Sequence, residues 1–234
     1  MNFKQRSLEK ELLDGEGIPY DAIRENMVEL EFINRYLGGH QITISGLKKL
    51  YSNQTTLHIC EIGCGGGDNL AAIARWCGQK KISLQVTGID WKDSCIWVAE
   101  NRVWLNQKAT WICSDYRHVV FADPPDIIFS SLFCHHFREE DLVAQLRWMH
   151  KHSRVGFFIN DLHRHWLAYF SIKTLTALFS KSYLVKNDAP LSVARGFLKP
   201  EWEALLQQAG IRKASIRWKW AFRHLITAPK SLGA

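Results

Sequence analysis

The residues best placed to do chemistry begin with the run His58-Ile59-Cys60-Glu61-Ile62-Gly63-Cys64-Gly65-Gly66-Gly67-Asp68-Asn69-Leu70. An apolar-leaning segment leads to an acid, then to glycines at 63, 65 and 67, then to a helix start. That order reads as a strand, a tight turn and a helix N-terminus. Glycine lets the backbone take positive φ and lets a ligand approach without meeting a Cβ. Free N–H groups at a helix start favour a polar or anionic ligand group. A nucleotide-like cofactor suits such a turn. The dinucleotide pattern G-x-G-x-x-G fits Gly63 and Gly65, but its third place falls on Asp68, whose charge would repel a pyrophosphate.

Further polar residues fall at the ends of later apolar runs. Asp90 closes one, and an acid there can accept two hydrogen bonds from a ribose diol. Trp91 follows and could pack on a base. Asp115, beside Tyr116, can accept from an exocyclic amino group. Ser130-Ser131-Leu132-Phe133-Cys134-His135-His136-Phe137 ends another run. His163 and His165 follow a fifth, with Asp161 close by.

The spacing Glu61-x-Gly63-x-Gly65-x-Gly67 resembles the first motif of the class I S-adenosylmethionine (SAM) methyltransferases. Asp90, Asp115 and the segment from Asp126 to His136 match that family's order and spacing, and the likeness covers residues 55–160 best. SAM carries no phosphate, so an acid near the glycines carries no penalty. The resemblance implies that Glu61 helps hold the methionyl ammonium, that Asp90 takes the ribose hydroxyls and that Asp115 contacts adenine. Gly63, Cys64, Gly65, Gly67, Trp91 and Tyr116 join the cofactor site, and Ser130 and Ser131 line the sulfonium end. The product would be S-adenosylhomocysteine. The tracts Asn160–Arg164 and Asp188–Arg195 look like small-molecule methyltransferases found beside bacterial polyketide and aromatic-polyene pathways, which points to secondary metabolism.

Methyl transfer to oxygen also needs a proton removed, usually by a general base within hydrogen-bond reach. His136 is the first candidate, with His135 and His163 next. In an extended segment only one of His135 and His136 can point at the pocket. Asp161 could pair with His163.

These residues need elements to position them, and the pattern supplies a βα alternation. Strands are expected near Thr56–Ile62, Ser83–Ile89, Ala109–Cys113, Asp126–Ser131, Ser153–Ile159, Lys213–Trp218 and Phe222–Thr227. Helices are expected over Asp21–Leu37, Ser45–Tyr51, Asn69–Trp76, Asp93–Leu105, Glu139–His150, Leu162–Phe179 and Lys199–Ala209. This predicts an α/β, Rossmann-like, doubly wound seven-stranded sheet, mostly parallel with an antiparallel C-terminal hairpin. Residues 1–52 are expected to form a helical extension over the pocket, of which 1–19 read as a mobile or loosely docked arm. Residues 53–234 form the SAM-binding domain, with a helical insert near 162–198.

Composition narrows the function classes. The chain has 234 residues and 47% hydrophobic content, enough for one domain with a sizeable core. No apolar run is long enough to span a membrane and no secretory leader is visible. The six cysteines are scattered without a C-x-x-C pair, so a reduced, cytoplasmic protein is expected, with no metal site. Net charge is +7, and residues 181–234 hold 10 basic and 3 acidic side chains. That surplus fits a solvated edge strand guarded against pairing, with a nucleic-acid face, an anionic membrane face or a binding site for an acidic substrate as the alternatives. The aromatic insert (Trp166, Tyr169, Phe170, Leu175, Leu178, Phe179) favours an apolar or aromatic small-molecule acceptor, methylated on oxygen or carbon. RNA or other nucleic-acid methylation and a non-catalytic SAM-binding module are the alternatives.

Overall fold

Strand β1 (Thr56–Ile62) is buried along nearly its whole length, so its sequence reads apolar with little alternation. Leu57 and Ile59 face one helical layer while Cys60 and Ile62 face the other. The computed structural model describes residues 3–102 and 109–230. In it β1 pairs in parallel with β2 (Ser83–Asp90) and β4 (Ile127–Ser131). β3 (Ala109–Cys113) extends the sheet beyond β2, and β5 (Gly156–Leu162) beyond β4. The chain then returns through β6 (Ser215–Lys219) and β7 (Arg223–Pro229), with β7 antiparallel to both β5 and β6. The strand order is β3-β2-β1-β4-β5-β7-β6, the doubly wound seven-stranded sheet read from the sequence. It reverses direction between β1 and β4, which opens a crevice at the carboxyl ends of those strands.

Helices cover both faces. α2 (Gly39–Leu50) and α3 (Asp68–Lys80) pack Ile42, Leu47, Leu70 and Ile73 on one side, joined by α4 (Asp93–Glu100). α5 (Glu139–His152) and α8 (Lys199–Gln208) pack Leu142, Met149, Trp202 and Leu205 on the other. The expected helix from Asp93 is described to Glu100, and its expected end at Leu105 lies outside the described residues. α1 (Tyr20–Tyr36), α6 (Trp166–Phe179) and α7 (Tyr183–Arg195) gather over the crevice.

Several boundaries differ from expectation for physical reasons. α2 starts six residues before Ser45, at Gly39, because Gly38 takes φ of 78° and turns the chain from α1 directly into it. Gly46 lets that helix lie against the sheet, since a Cβ there would come within 2.5 Å of the Phe158 ring. β5 runs on to Leu162 because β7 pairs with it as far as Arg223, so α6 begins at Trp166. α7 was not expected as a separate helix. Pro190 stands inside it, and burial of Leu184, Val185, Val193 and Ala194 compensates.

The arm before α1 is docked, not loose. Arg6 donates to the carbonyls of Arg195 (2.9 Å) and Phe137 (3.0 Å) and lies over the Phe197 ring. Arg164, itself buried, donates to the Phe3 carbonyl at 2.9 Å. Asp188 accepts from the backbone N–H groups of Leu12 and Leu13, at 2.8 and 2.9 Å, and so fixes the short turn Leu12–Asp14. Part of the C-terminal basic surplus, Arg217 and Lys219, lies on the edge strand β6.

Candidate functional site

The glycine turn after β1 has the backbone its composition requires. Gly63, Gly65 and Gly67 take φ of 65°, 48° and 72°. A Cβ on Gly63 would lie 2.1 Å from the Phe133 ring. The Gly65 N–H donates to Asp90 Oδ2 at 2.9 Å, which ties the turn to the end of β2. The turn forms one wall of a cavity of about 890 Å³. Other walls come from the ends of β2, β4 and β5, from α1, α6 and α7, and from the arm. The Trp220–Phe222 loop between β6 and β7 completes the enclosure. Three lining residues other than glycine hold positive φ: Leu132, Ala221 and Phe222, at 54°, 58° and 54°. Such strain concentrates where a ligand site over-determines the backbone.

One end of the cavity is acidic. Glu61 is 1% exposed, and its Oε2 has no hydrogen-bond partner. Burial, then the Asp68 and Asp90 charges, push its carboxyl well above the usual range. Asp68 accepts from the Asn34 amide at 3.0 Å and lies 2.7 Å from His40 Nε2. Asp90 accepts from the Gly65 and Lys92 backbone N–H groups, one on each oxygen, leaving a lone pair on each for a diol. Trp91 is 55% exposed on the cavity rim, with the Lys92 ammonium 4.9 Å from its ring centroid. Asp115 lines the same region but holds Arg117 through its side chain and backbone. Tyr116 is buried against Trp148, edge-on at 5.1 Å. Cys64 is a buried thiol whose pKa is pushed well up by burial and by Asp90. Ser131 lines the cavity, with its Oγ 3.3 Å from the Asn160 amide. Ser130 is fully buried, in contact with Cys134 Sγ, and is not among the lining residues.

These features fit SAM: an orphaned buried carboxylate oxygen for an ammonium, a paired-oxygen acid for a ribose, an exposed indole for adenine. The bare glycine backbone admits the ligand without a Cβ.

The other end is built around two histidines. Cys134–His136 forms a short 3₁₀ turn rather than an extended segment, so both rings line the cavity, with centroids 4.4 Å apart. His135 is buried, with Nδ1 2.8 Å from Asp161 Oδ1. Burial disfavours its charge, but Asp161 and Glu11 outweigh that and lift its pKa to about 9. His136 places Nδ1 3.0 Å from Asp14 Oδ1. Burial would raise the Asp14 carboxyl, yet His136 and Arg195 hold it down at about 2. Glu11 lies between the imidazoles, 3.5 Å from His135 Nε2 and 3.8 Å from His136 Nε2. His163 is not among the lining residues; it accepts from Trp218 Nε1 at 3.2 Å and stacks on Phe222. Asp161 therefore serves His135 and not His163. Glu11 and Asp14 were missed in the sequence because they stand in the arm, far along the chain from either histidine.

The comparisons with known proteins agree with this fold. Residues 59–156 match the methyltransferase domain family. The malonyl-[acyl-carrier protein] O-methyltransferase of Bacillus cytotoxicus is 30% identical over 113 residues, covering 47% of this chain and 36% of that protein. The chain thus spans about a third of that relative's length. The plantazolicin methyltransferase BpumL, solved with S-adenosylhomocysteine, superposes with a TM-score of 0.64 at 21% identity, covering 90% of this chain and 89% of that one. The magnesium protoporphyrin IX methyltransferase of Synechocystis PCC 6803, also solved with S-adenosylhomocysteine, gives 0.56 at 16% identity, covering 83% and 84%. Residues 59–156 thus carry the match to a methyltransferase domain, and the seven-stranded sheet as a whole has the fold of these solved methyltransferases.

Proposed function

We propose that the chain transfers a methyl group from SAM to an apolar or aromatic small molecule. The observation that carries the substrate class is the face that α6 and α7 turn to the cavity. Ala168, Ile172 and Leu175 recur at helical spacing on α6, and Val185 and Ala189 add to them from α7. An apolar wall of this kind selects for a lipophilic body.

When bound, SAM would supply a methyl activated by positive sulfur, the acceptor gaining the methyl carbon and the sulfur keeping the electron pair of the broken carbon–sulfur bond. The chain's residues do the positioning. Glu61 would hold the ammonium, Asp90 the ribose and Trp91 the base. Holding the two reactants in line is worth several kcal/mol of barrier. At the far end, an acceptor hydroxyl loses its proton into the cluster of His136, Glu11 and Asp14. The phenol pKa of about 10 keeps that step modest. The docked arm and the α6–α7 pair exclude water from the reacting groups.

No helix among the described residues is long and apolar enough to cross a membrane. All six cysteines are free, which supports a reducing compartment such as the cytoplasm. The functional test is incubation with labelled SAM and a panel of phenols and quinols. Transfer to members of that panel is expected. Transfer confined to RNA or protein would overturn the reading.

A further inference from the structure

We propose that Glu11, His135 and His136 form a binding site for a divalent transition metal of the zinc class, opening on the cavity. Each residue offers one ligand atom, and these atoms all lie within 4.8 Å of one another. Two imidazoles and a carboxylate with a position left open is a donor set of catalytic zinc sites. The outer contacts are the stronger argument. A metal-bound histidine almost always donates its second ring N–H to a carboxylate or carbonyl. Here both histidines do so: the His135 Nδ1 meets Asp161 at 2.8 Å and the His136 Nδ1 meets Asp14 at 3.0 Å. With each Nδ1 engaged by its carboxylate, both Nε2 atoms are turned toward Glu11, where a metal would displace any proton they hold. A ligating carboxylate is itself usually hydrogen-bonded, and Ser192 Oγ donates to Glu11 Oε1 at 2.7 Å.

The gaps inside the cluster point the same way. The two Nε2···carboxylate separations are 3.5 and 3.8 Å, at or beyond the limit of a hydrogen bond. Ligands about 2.0–2.1 Å from a tetrahedral ion stand about 3.3 Å apart, so a small closure seats one. Arg195 is tied to the carbonyls of His135 and Glu9, at 3.0 and 2.6 Å, and stands 4.0 Å from Glu11 Oε1, outside the ligand set. Glu11 and Asp14 face the Arg195 guanidinium and Asp161 faces those of Arg6 and Arg223, so the donor geometry and the open face, not a charge deficit, point to the cation. Its consequence rests on the proposed function: with the metal bound, an acceptor hydroxyl reaching the open position would be acidified there, and its proton would leave through the cavity mouth on exchange with solvent, in place of the uptake by His136 and Glu11 that serves the metal-free site.

The test is independent of methyl transfer. Untagged, chelator-treated protein is titrated calorimetrically with Zn²⁺, and separately with Co²⁺ while visible absorption is recorded. The expected result is one equivalent bound, with tetrahedral d–d bands and no thiolate charge-transfer band. Glu11→Gln and His136→Asn should abolish stoichiometric binding, and Asp14→Asn, which removes the carboxylate behind His136, should weaken it about 10–100-fold. Circular dichroism of each variant checks the fold. No stoichiometric binding by the native chain, binding undisturbed in folded variants, or a thiolate band marking a cysteine site would each overturn the proposal, whether or not methyl transfer is found.

Discussion

Replacing Glu61 with glutamine separates the cost of the acid in the empty protein from its use toward the cofactor. Glu61 is almost fully buried, one oxygen is unpartnered, and burial together with Asp68 and Asp90 raises its carboxyl well above the ordinary range. Glutamine keeps the shape and removes that burden, so the ligand-free Glu61→Gln protein should be no less stable than the native one. Toward SAM the sign reverses. A hydrogen bond to a charged group contributes about 1.5–3 kcal/mol, and about 1.4 kcal/mol is a factor of ten. SAM should therefore bind roughly 10–150-fold more weakly to the variant. A second signature follows from the raised carboxyl. Binding a cation beside it favours the ionised form, so binding releases a proton, affinity rises with pH, and the calorimetric enthalpy depends on the buffer. Glu61→Gln should lose that dependence. A methylthioadenosine control, which lacks the amino-acid end, should bind both proteins equally. The reasoning fails if SAM affinity changes less than twofold, if the empty variant is destabilised by more than about 1 kcal/mol, or if both proteins show the same buffer dependence.

Three further outcomes are expected. Gly63→Ala forces a Cβ into the Phe133 ring at a positive φ, and should cost about 2–4 kcal/mol and abolish cofactor binding; denaturant unfolding and calorimetry check both, and a native-like midpoint would contradict it. Ala221→Gly relieves a left-handed backbone at φ 58° and should stabilise the fold by about 1 kcal/mol, read as a raised melting temperature; a fall would show that the methyl group's contacts outweigh the strain. His224 is buried, and burial followed by His163 depresses its pKa to about 4. The unfolded chain takes up that proton near the ordinary value of about 6.5, so the stability is fully present above it and is lost as pH falls toward 4, by up to roughly 3 kcal/mol. His224→Phe should flatten that part of the denaturation profile, and an unchanged slope would assign it elsewhere.

What the sequence revealed was what local chemistry encodes. Three alternate glycines demanded positive φ, and all three have it. Apolar runs ending in Glu61, Asp90 and Ser131 marked strand ends, and those side chains face the cavity. What it hid depends on distant partners. The arm's polar composition says nothing of Arg6 and Arg164 pinning it, or of Asp188 capping its turn. Asp161 reads naturally as the partner of nearby His163, yet β5 carries it to His135 across the site. The 3₁₀ turn that aims both His135 and His136 inward is a tertiary outcome, since Asp161 also accepts the Cys134 N–H at 2.8 Å. Pro190 concealed α7, whose helix survives through burial rather than propensity.

The central claim, that this cavity holds SAM with its methyl directed at the His136 end, is tested most directly by a crystal structure with S-adenosylhomocysteine. The account predicts adenine over Trp91 beside Asp115, the ribose hydroxyls on Asp90, the ammonium at Glu61, and sulfur facing His136 and the α6–α7 wall. Density for the ligand outside this cavity, or inside it with the ammonium away from Glu61 and sulfur away from His136, would contradict it.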